Sequence, residues 1–344
     1  MLGSIELLCY PLFRWLEDGQ RSLSTKQPLP ATIAIVCATV ASGASLAAAL
    51  PTWQANKPTE IWIVTNALAY SSNEKCLADF LSDKVRLVQC SQTNKRAQLC
   101  EGFKRTTSEF IVICDDDTVW TPNVLKKLIQ PLQRDARVGA VFPEVKFRPG
   151  ARVFTLWETM SALRLSGDAI DIRTSMLFDG GVFCASGTTA AYRGKVLRDT
   201  VFLRSFPNEL WMKKQLNAGD DQSLTLWLAN HDWNCRVVAD DGLSGCSVLT
   251  SPRTDWKHLS QLMRWSRSDW QACLNATMAS DAIWRSVRLH HTAQLMLIYE
   301  ENIPIQLGVA SLGVQGASVS SLRLFTCTHS RGKSQSCSLC ERQY

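Results

Sequence analysis

From residue 31 the chain alternates short apolar runs with longer amphipathic ones. Thr32-Ile33-Ala34-Ile35-Val36-Cys37 reads as a strand, Ser42-Gly43 as a break, and the segment from Ala44 to about residue 54 as a helix. Ile61-Trp62-Ile63-Val64, Val85-Arg86-Leu87-Val88 and Phe110-Ile111-Val112-Ile113-Cys114 supply three further strands, with helices expected at 73–82 and 95–105 between them. A helix at 122–133 then leads into a strand at Val138-Gly139-Ala140-Val141-Phe142. This alternation predicts an α/β domain built on a mostly parallel sheet, with helices on both faces. Past residue 150 the pattern loosens. Helical periodicity returns at 154–165, 208–216, 221–230 and 256–272, and a Gly/Ser/Thr-rich stretch intervenes at 179–189. Residues 1–30 read as a peripheral lead-in, and the Ser-, Gly- and Cys-rich tail from about 303 as poorly ordered.

Composition narrows the class. The 344 residues are 46% hydrophobic and 20% charged, which fits a globular chain with ample length for a core. The net charge of +6 is spread along the sequence, so it suits anionic ligands such as nucleotides but lacks the dense basic stripe of a nucleic-acid binder. The 13 cysteines are odd in number and scattered singly, which argues for reduced thiols in a cytosol-facing protein. Ala31 to Leu50 carries no charge and is long enough to span a bilayer. It is rich in Ala, Ser, Gly and Thr, however, and divides naturally, so strand-turn-helix is the preferred reading over a signal anchor. Met1 to Arg21 mixes charges through its apolar residues and shows no secretory signal.

Four groups carry candidate chemistry. Asp115-Asp116-Asp117 follows the apolar run 110–114 directly, and each like-charge pair there costs on the order of a few kcal/mol unless something positive neutralises it. A divalent metal carrying a phosphorylated ligand would do so, at the strand end where open α/β sheets gather ligands. The alternative is an exposed turn whose Asp caps a helix ahead of Pro122. Gly219-Asp220-Asp221 precedes the amphipathic run 223–228, where a carboxylate serves either as a general base or as a helix cap. Gln261, Arg264 and Trp265 lie three and four residues apart and reach one side of a helix. Arg suits diphosphate oxygens and Trp a sugar face, against the alternative of a core Trp and a snorkelling Arg. Asn94-Lys95-Arg96 opens a helix and offers a phosphate contact.

In this order and spacing the four groups resemble the processive, membrane-embedded family 2 glycosyltransferases: hyaluronan, chitin and cellulose synthases and their fungal polysaccharide-synthase relatives. The resemblance covers about 31–272, and Gln261-x-x-Arg264-Trp265 is its most specific motif. Val182-Phe183-Cys184-Ala185-Ser186 is also similar to the loop that cradles the acceptor sugar in these enzymes. The resemblance implies a nucleotide-diphospho-sugar transferase fold of the GT-A, Rossmann-like type. It further implies a catalytic domain at 31–275, with a donor nucleotide half at 31–150 and an acceptor half at 151–275, followed by a C-terminal segment at 276–344.

The implied reaction is a single inverting transfer from a UDP-sugar to a growing polysaccharide. Asp115 would contact the nucleotide and Asp117 would hold Mg²⁺ or Mn²⁺ against the diphosphate, which Lys95, Gln261 and Arg264 would also bind. Asp221 would be the base, Trp265 would stack beneath the terminal acceptor sugar, and Cys184 and Ser186 would line the acceptor loop. Asp116 is left as a turn residue facing away from the metal. The partners implied are a UDP-sugar and a carbohydrate acceptor, without nucleic acid, in a membrane-associated protein whose catalytic domain faces the cytoplasm. The chain departs from the pattern in two places. Thr65-Asn66 follows the second strand where relatives often carry an acidic residue near the uracil. The late apolar run 295–299 is cut by Glu300-Glu301 and 306–326 is too polar to span a bilayer, so the chain is expected to be a shortened version without the translocating channel. Two other readings stand beside this one: a non-processive transferase acting on a lipid or protein acceptor, and a catalytically inactive UDP-sugar-binding subunit.

Overall fold

The computed structural model describes residues 31–40, 43–148, 155–178, 182, 184–238, 247–250 and 256–279. The lead-in 1–30, the tail from 280 onward and most of the stretch 179–183 lie outside the described residues. The chain begins with β1 (Ile33–Thr39), α1 (Gly43–Ala55), β2 (Glu60–Asn66), α2 (Ala67–Leu77) and β3 (Val85–Cys90). It continues through α3 (Lys95–Arg105), β4 (Phe110–Cys114), a two-residue β5 (Val119–Trp120), α4 (Val124–Arg134), β6 (Val138–Pro143) and β7 (Val145–Phe147). Then come α5 (Leu156–Phe178), β8 (Thr189–Arg193), the short helices α6 (Gly194–Leu197) and α7 (Thr200–Ser205), and the hairpin strands β9 (Leu210–Trp211) and β10 (Lys214–Gln215). Helix α8 (Asp220–Asn230), strands β11 (Asn234–Val238) and β12 (Val248–Thr250), and helix α9 (Lys257–Ala279) complete the described elements.

Seven strands form the main sheet in the order β11-β6-β8-β4-β1-β2-β3. Pairings of β1 with β2 and β4, β2 with β3, and β6 with β11 are parallel, while β8 runs antiparallel to both β4 and β6. The mostly parallel α/β sheet is therefore as expected. A small second sheet, β5-β12-β7, sits apart from the main one. Strand β1 is apolar at every position from 34 to 38 because helices cover both its faces. Ala34, Val36 and Ala38 pack with Leu99 and Phe103 of α3 and Leu224 of α8; Ile35 and Cys37 pack with Leu46, Leu50 and Trp53 of α1 and Leu128 of α4. The uncharged segment 31–50 is thus a core strand followed by a core helix. Among the described residues no helix is long and apolar enough to cross a membrane.

The order of the strands sets the position of the site. β2 lies on one side of β1 and β4 on the other, so the connections diverge and leave a crevice at the carboxyl ends, beside Thr39 and Cys114. Two expected helices differ. The one placed at 73–82 occupies 67–77, because Asn66 ends β2 and caps the helix at once, accepting a hydrogen bond from the Ala69 N–H at 2.9 Å. The one placed at 208–216 is instead the β9–β10 hairpin, whose turn residues Met212 and Lys213 both take positive φ, 47° and 67°.

Helix α3 lies so close to β1 that a Cβ at Gly102 would overlap the Val36 side chain. Gly102→Ala should therefore lower stability by about 1–3 kcal/mol, and Gly102→Val by more, as overpacking does. Urea unfolding with an unchanged slope and a lowered midpoint is the expected result.

Candidate active site

The acidic turn after β4 is held by its backbone. The Asp115 N–H donates to the Thr188 carbonyl at 3.1 Å, and the Thr118 N–H donates to the Asp115 carbonyl at 3.3 Å, closing a tight turn. The Trp53 indole N–H donates to the Thr118 carbonyl at 2.8 Å, and the Trp120 indole N–H reaches Thr189 Oγ1 at 3.0 Å. No helix follows directly: β5 comes next, and α4 starts only at Val124, so none of the three aspartates is a helix cap. Their surroundings differ. Asp115 pairs with Lys95 at 2.8 Å. Asp116 accepts a hydrogen bond from Thr39 Oγ1 at 2.5 Å, which ties the ends of β1 and β4 together. Burial, then the neighbouring charges of Asp115 and Asp116, push Asp117 up to about 6.

The N-terminus of α3 joins this turn to the second acidic group. The Lys95 ammonium lies 2.8 Å from Asp115 Oδ1 and 3.1 Å from Asp220 Oδ2. Burial works against its charge, but Asp115 and Asp220 outweigh it and hold its pKa well above the usual lysine value. Asn94 caps α3, accepting from the Arg96 N–H at 2.8 Å, while its amide donates to Asn217 Oδ1 at 2.8 Å. The Arg96 side chain, fully buried, donates to the carbonyls of Ala218 at 2.7 Å and Gly219 at 3.1 Å, to Ser223 Oγ at 2.8 Å, and to the Glu209 carboxylate. Gly219 precedes α8 at φ 66°, a left-handed conformation that suits glycine. The cap and first two residues of α3 thus grip the loop that delivers Asp220 and Asp221.

Asp220 and Asp221 are adjacent yet titrate apart. Against the cost of burial, Lys95 and then Arg96 hold the Asp220 carboxyl below the usual carboxylate range. Burial and then the Asp220 charge push Asp221 up to about 6. The loop 184–188 lies against this carboxylate: the Ala185 N–H donates to Thr225 Oγ1 at 2.9 Å, Thr225 Oγ1 donates to the Asp221 carbonyl at 2.8 Å, and a Cβ at Gly187 would sit 3.2 Å from Asp221 Oδ2. Cys184 is half-buried there, with its thiol pushed well above its ordinary value by burial and then by Asp221. Ser186 Oγ accepts from the Thr188 N–H at 3.4 Å within the same loop.

Helix α9 brings the remaining candidates. It packs over the start of α8, where the Gln222 amide donates to Asp269 and Ser268 lies near Gly219. Gln261 Oε1 is buried with no hydrogen-bond partner among the described residues, Arg264 is exposed, and the Arg164 guanidinium carbon lies 5.3 Å from the Trp265 ring centroid. No hydrogen bond or ion pair among the described residues joins Gln261 or Arg264 to the acidic groups. Lys95, Asp115, Asp221 and Cys184 are drawn together; Asp117 lies on the same turn, and Gln261, Arg264 and Trp265 stand on the adjoining helix.

Residues 28–268 match the family described as glycosyltransferase like family 2. The chain belongs to this family. It is 29% identical over 256 residues to a type 2 glycosyltransferase of Zymoseptoria tritici, covering 74% of this chain and 53% of that protein. It is 30% identical over 234 residues to one of Pyricularia oryzae, covering 67% and 48%. Hyaluronan synthase 2 of Xenopus laevis is 26% identical over 192 residues, covering 55% and 33%. The chain spans about half the length of the two fungal relatives it matches. Among solved structures, the mannosyltransferase PcManGT from Pyrobaculum calidifontis, in complex with GDP-Man and Mn²⁺, superimposes with a TM-score of 0.57 at 17% identity, over 93% of this chain and 88% of that one. The fold of this family 2 chain is the GT-A type.

Local motifs do not reveal every residue that builds the site of this family 2 chain. In the sequence Arg96 stands out only as the second half of a basic pair, and Glu209 and Thr39, which lies past the strand expected at 32–37, do not stand out at all. The bonds Thr39–Asp116, Arg96–Glu209 and Arg96–Ser223 span 77, 113 and 127 residues of chain. Removing the guanidinium leaves the two loop carbonyls unpaired and Glu209 with only Ser223 and Asn275 as donors, so Arg96→Met should cost about 3 kcal/mol, the lower end for a broken buried pair because Glu209 is partly exposed. The urea midpoint measures the loss, and Arg96→Lys should recover only part of it because one ammonium cannot match the forked geometry.

Proposed function

We propose that this chain is the catalytic part of an inverting glycosyltransferase that transfers a sugar from a UDP-sugar to a growing polysaccharide, with a divalent cation. The observation that carries the reading is the Lys95 bridge between Asp115 and Asp220, which sets a cation between two acidic groups beside an aspartate whose pKa is pushed up to about 6. Similarity to the fungal type 2 glycosyltransferases supports sugar transfer, and similarity to hyaluronan synthase 2 supports the polysaccharide acceptor. The mannosyltransferase of the same fold, solved with GDP-Man and Mn²⁺, supports a nucleotide-sugar donor and a cation. On this reading the catalytic part faces the cytoplasm at a membrane.

The acidic turn suits a cation. Asp117 is pushed up to about 6 by burial and by Asp115 and Asp116, a situation that a nearby positive charge relieves. Among the described residues no three His, Cys, Asp or Glu side chains converge on one point, so Asp117, helped by its neighbours, would share Mg²⁺ or Mn²⁺ with the diphosphate oxygens. When bound, such an ion supplies Lewis-acid stabilisation of the charge that builds on the departing UDP. Lys95 then holds the diphosphate side of the crevice, with Gln261 and Arg264 closing on it from α9 and Asp115 against the nucleotide. Trp265 presents a flat face to the terminal acceptor sugar, beside the loop of Cys184 and Ser186. Asp221 accepts the proton of the acceptor hydroxyl as that oxygen attacks the anomeric carbon and the bond to UDP breaks on the opposite face. Two carboxylate groups are needed because one must stay anionic against positive charge while the other must remain able to take a proton.

Asp221→Asn should lower kcat by about 10²–10⁴, the usual worth of a general base, with UDP affinity unchanged in calorimetry. Wild-type turnover removes Asp221 from the base role if the variant matches it. The base works only when ionised and its pKa is about 6, so kcat/KM should fall as pH drops through about 6 and stay level above it until a second group titrates. Chelation should abolish turnover and Mn²⁺ or Mg²⁺ restore it. Asp117→Asn should raise the Mn²⁺ needed for half-activity at least as much as the roughly tenfold that loss of a ligand's supporting partner costs.

A further inference from the structure

Helix α5 carries none of the motifs, yet it enters the site through one side chain. Arg164 places its guanidinium carbon 5.3 Å from the Trp265 ring centroid and donates to Asp269 Oδ2 at 3.3 Å, with Asp168 Oδ2 at 3.8 Å on its other side. Asp269 also accepts from the Gln222 side-chain amide. The Gln222 backbone N–H in turn donates to Asp221 Oδ1 at 2.9 Å. A continuous chain of contacts therefore runs from Trp265 through Arg164, Asp269 and Gln222 to Asp221, crossing α5, α9 and α8. Gln222 is buried, and Arg164 and Asp269 are only 26% and 14% exposed, so water screens this pair less than it does a surface one.

We infer that Arg164 and Asp269 are positioning residues for the acceptor, holding the Trp265 ring at a set place relative to the Asp221 carboxylate. The inference rests on the reading of Asp221 as base and Trp265 as sugar platform. An indole turns about two side-chain torsions, and a misplacement of about 1 Å at a reacting centre costs up to roughly 100-fold in rate. A cation against the ring and an ion pair to its own helix, one turn further on, restrict that motion. The charges facing Asp221 are Asp220 and Lys95 on one side and Asp269 on the other, with Cys184 between them as a neutral thiol. Asp168 adds a further carboxylate behind Arg164. Carboxylates outnumber cations along this wall, so the sugar it accepts is a neutral, hydroxyl-rich one rather than an acidic one.

The test uses the full chain with UDP and Mn²⁺, titrated with cellotetraose and chitotetraose in a calorimeter. Arg164→Gln and Asp269→Asn should each weaken binding of the accepted probe about tenfold while UDP affinity stays at the wild-type value. Arg164→Lys, which keeps the charge without the flat guanidinium, should recover part of the loss. With UDP-glucose or UDP-N-acetylglucosamine as donor, the acid limb of Asp269→Asn should move to lower pH, since Asp221 has lost a negative neighbour; a purely structural defect leaves the limb where it was. Turnover of Asp221→Asn tests the base reading by itself, whereas the probe titrations of the Arg164 and Asp269 variants test the positioning role, so the two readings fail separately. If Arg164→Gln loses its circular dichroism, Asp269→Asn and Arg164→Lys carry the comparison. Unchanged probe binding in the variants, equal weakening of UDP and probe, or a wild type that binds neither probe saturably overturns the inference.

Discussion

One ammonium group decides how this site is put together. Lys95 sits at the first position of α3, the positive end of a helix dipole, where a cation is disfavoured. It is partly withdrawn from water as well, which disfavours it further. It keeps its charge because carboxylates from two other elements reach it: Asp115 from the end of β4 and Asp220 from the start of α8. Without the lysine, those two acidic groups would face each other across the crevice and repel. With it, the carboxyl end of β4 and the start of α8 share one counter-ion, which with Asn94 and Arg96 holds the two acidic groups at a set separation.

That bridge also explains how neighbouring aspartates come to do different things. Successive residues on a helix point about 100° apart. Asp220 faces Lys95, with Arg96 close by, and is held ionised, whereas Asp221 turns toward the loop 184–188 and Asp269, where burial and negative charge resist ionisation. The division depends on the loop entering α8 at one angle. Arg96 sets that angle by taking the carbonyls of Ala218 and Gly219 together with Ser223 Oγ, and Gly219 accepts the left-handed backbone the entry requires. A buried arginine with several acceptors is a more exacting support than a hydrophobic contact, because each unpaired atom costs free energy of its own.

Strands buried on both faces were legible from sequence, since β1, β2, β4 and β6 are nearly unbroken apolar runs. β8 and β11 were not. Thr189-Ala190-Ala191-Tyr192-Arg193 has small residues because it is wedged between β4 and β6, and its antiparallel direction leaves no trace in composition. Asn234-Cys235-Arg236-Val237-Val238 is an edge strand only partly buried, with too little contrast to stand out. The hairpin 210–215 imitated a helix because Leu210, Trp211 and Met212 look amphipathic, although two positive φ angles in sequence decide for a turn. The site divides in the same way. Asp115, Asp221 and Lys95 lie in short motifs that carry their own meaning, while Arg96, Glu209, Arg164 and Asp269 acquire theirs from partners on distant elements.

The Gly/Ser/Thr-rich loop shows how composition alone misleads. Small residues at 185–189 suggest a flexible connector, yet Ala185 is buried, Thr188 and Thr189 bond the acidic turn and Trp120, and Gly187 lies where any side chain would press on the Asp221 carboxylate. Smallness here is a packing demand: the chain must pass between β4 and α8 without displacing the group that, on the proposed mechanism, takes the proton. Cys184 fits the same demand. Its thiol is held protonated by burial and by Asp221, so it cannot act as the thiolate that a covalent glycosyl intermediate would require. A thiol kept neutral leaves proton acceptance on that side to the Asp221 carboxylate, and on the proposed mechanism inversion follows from a single displacement by the acceptor hydroxyl.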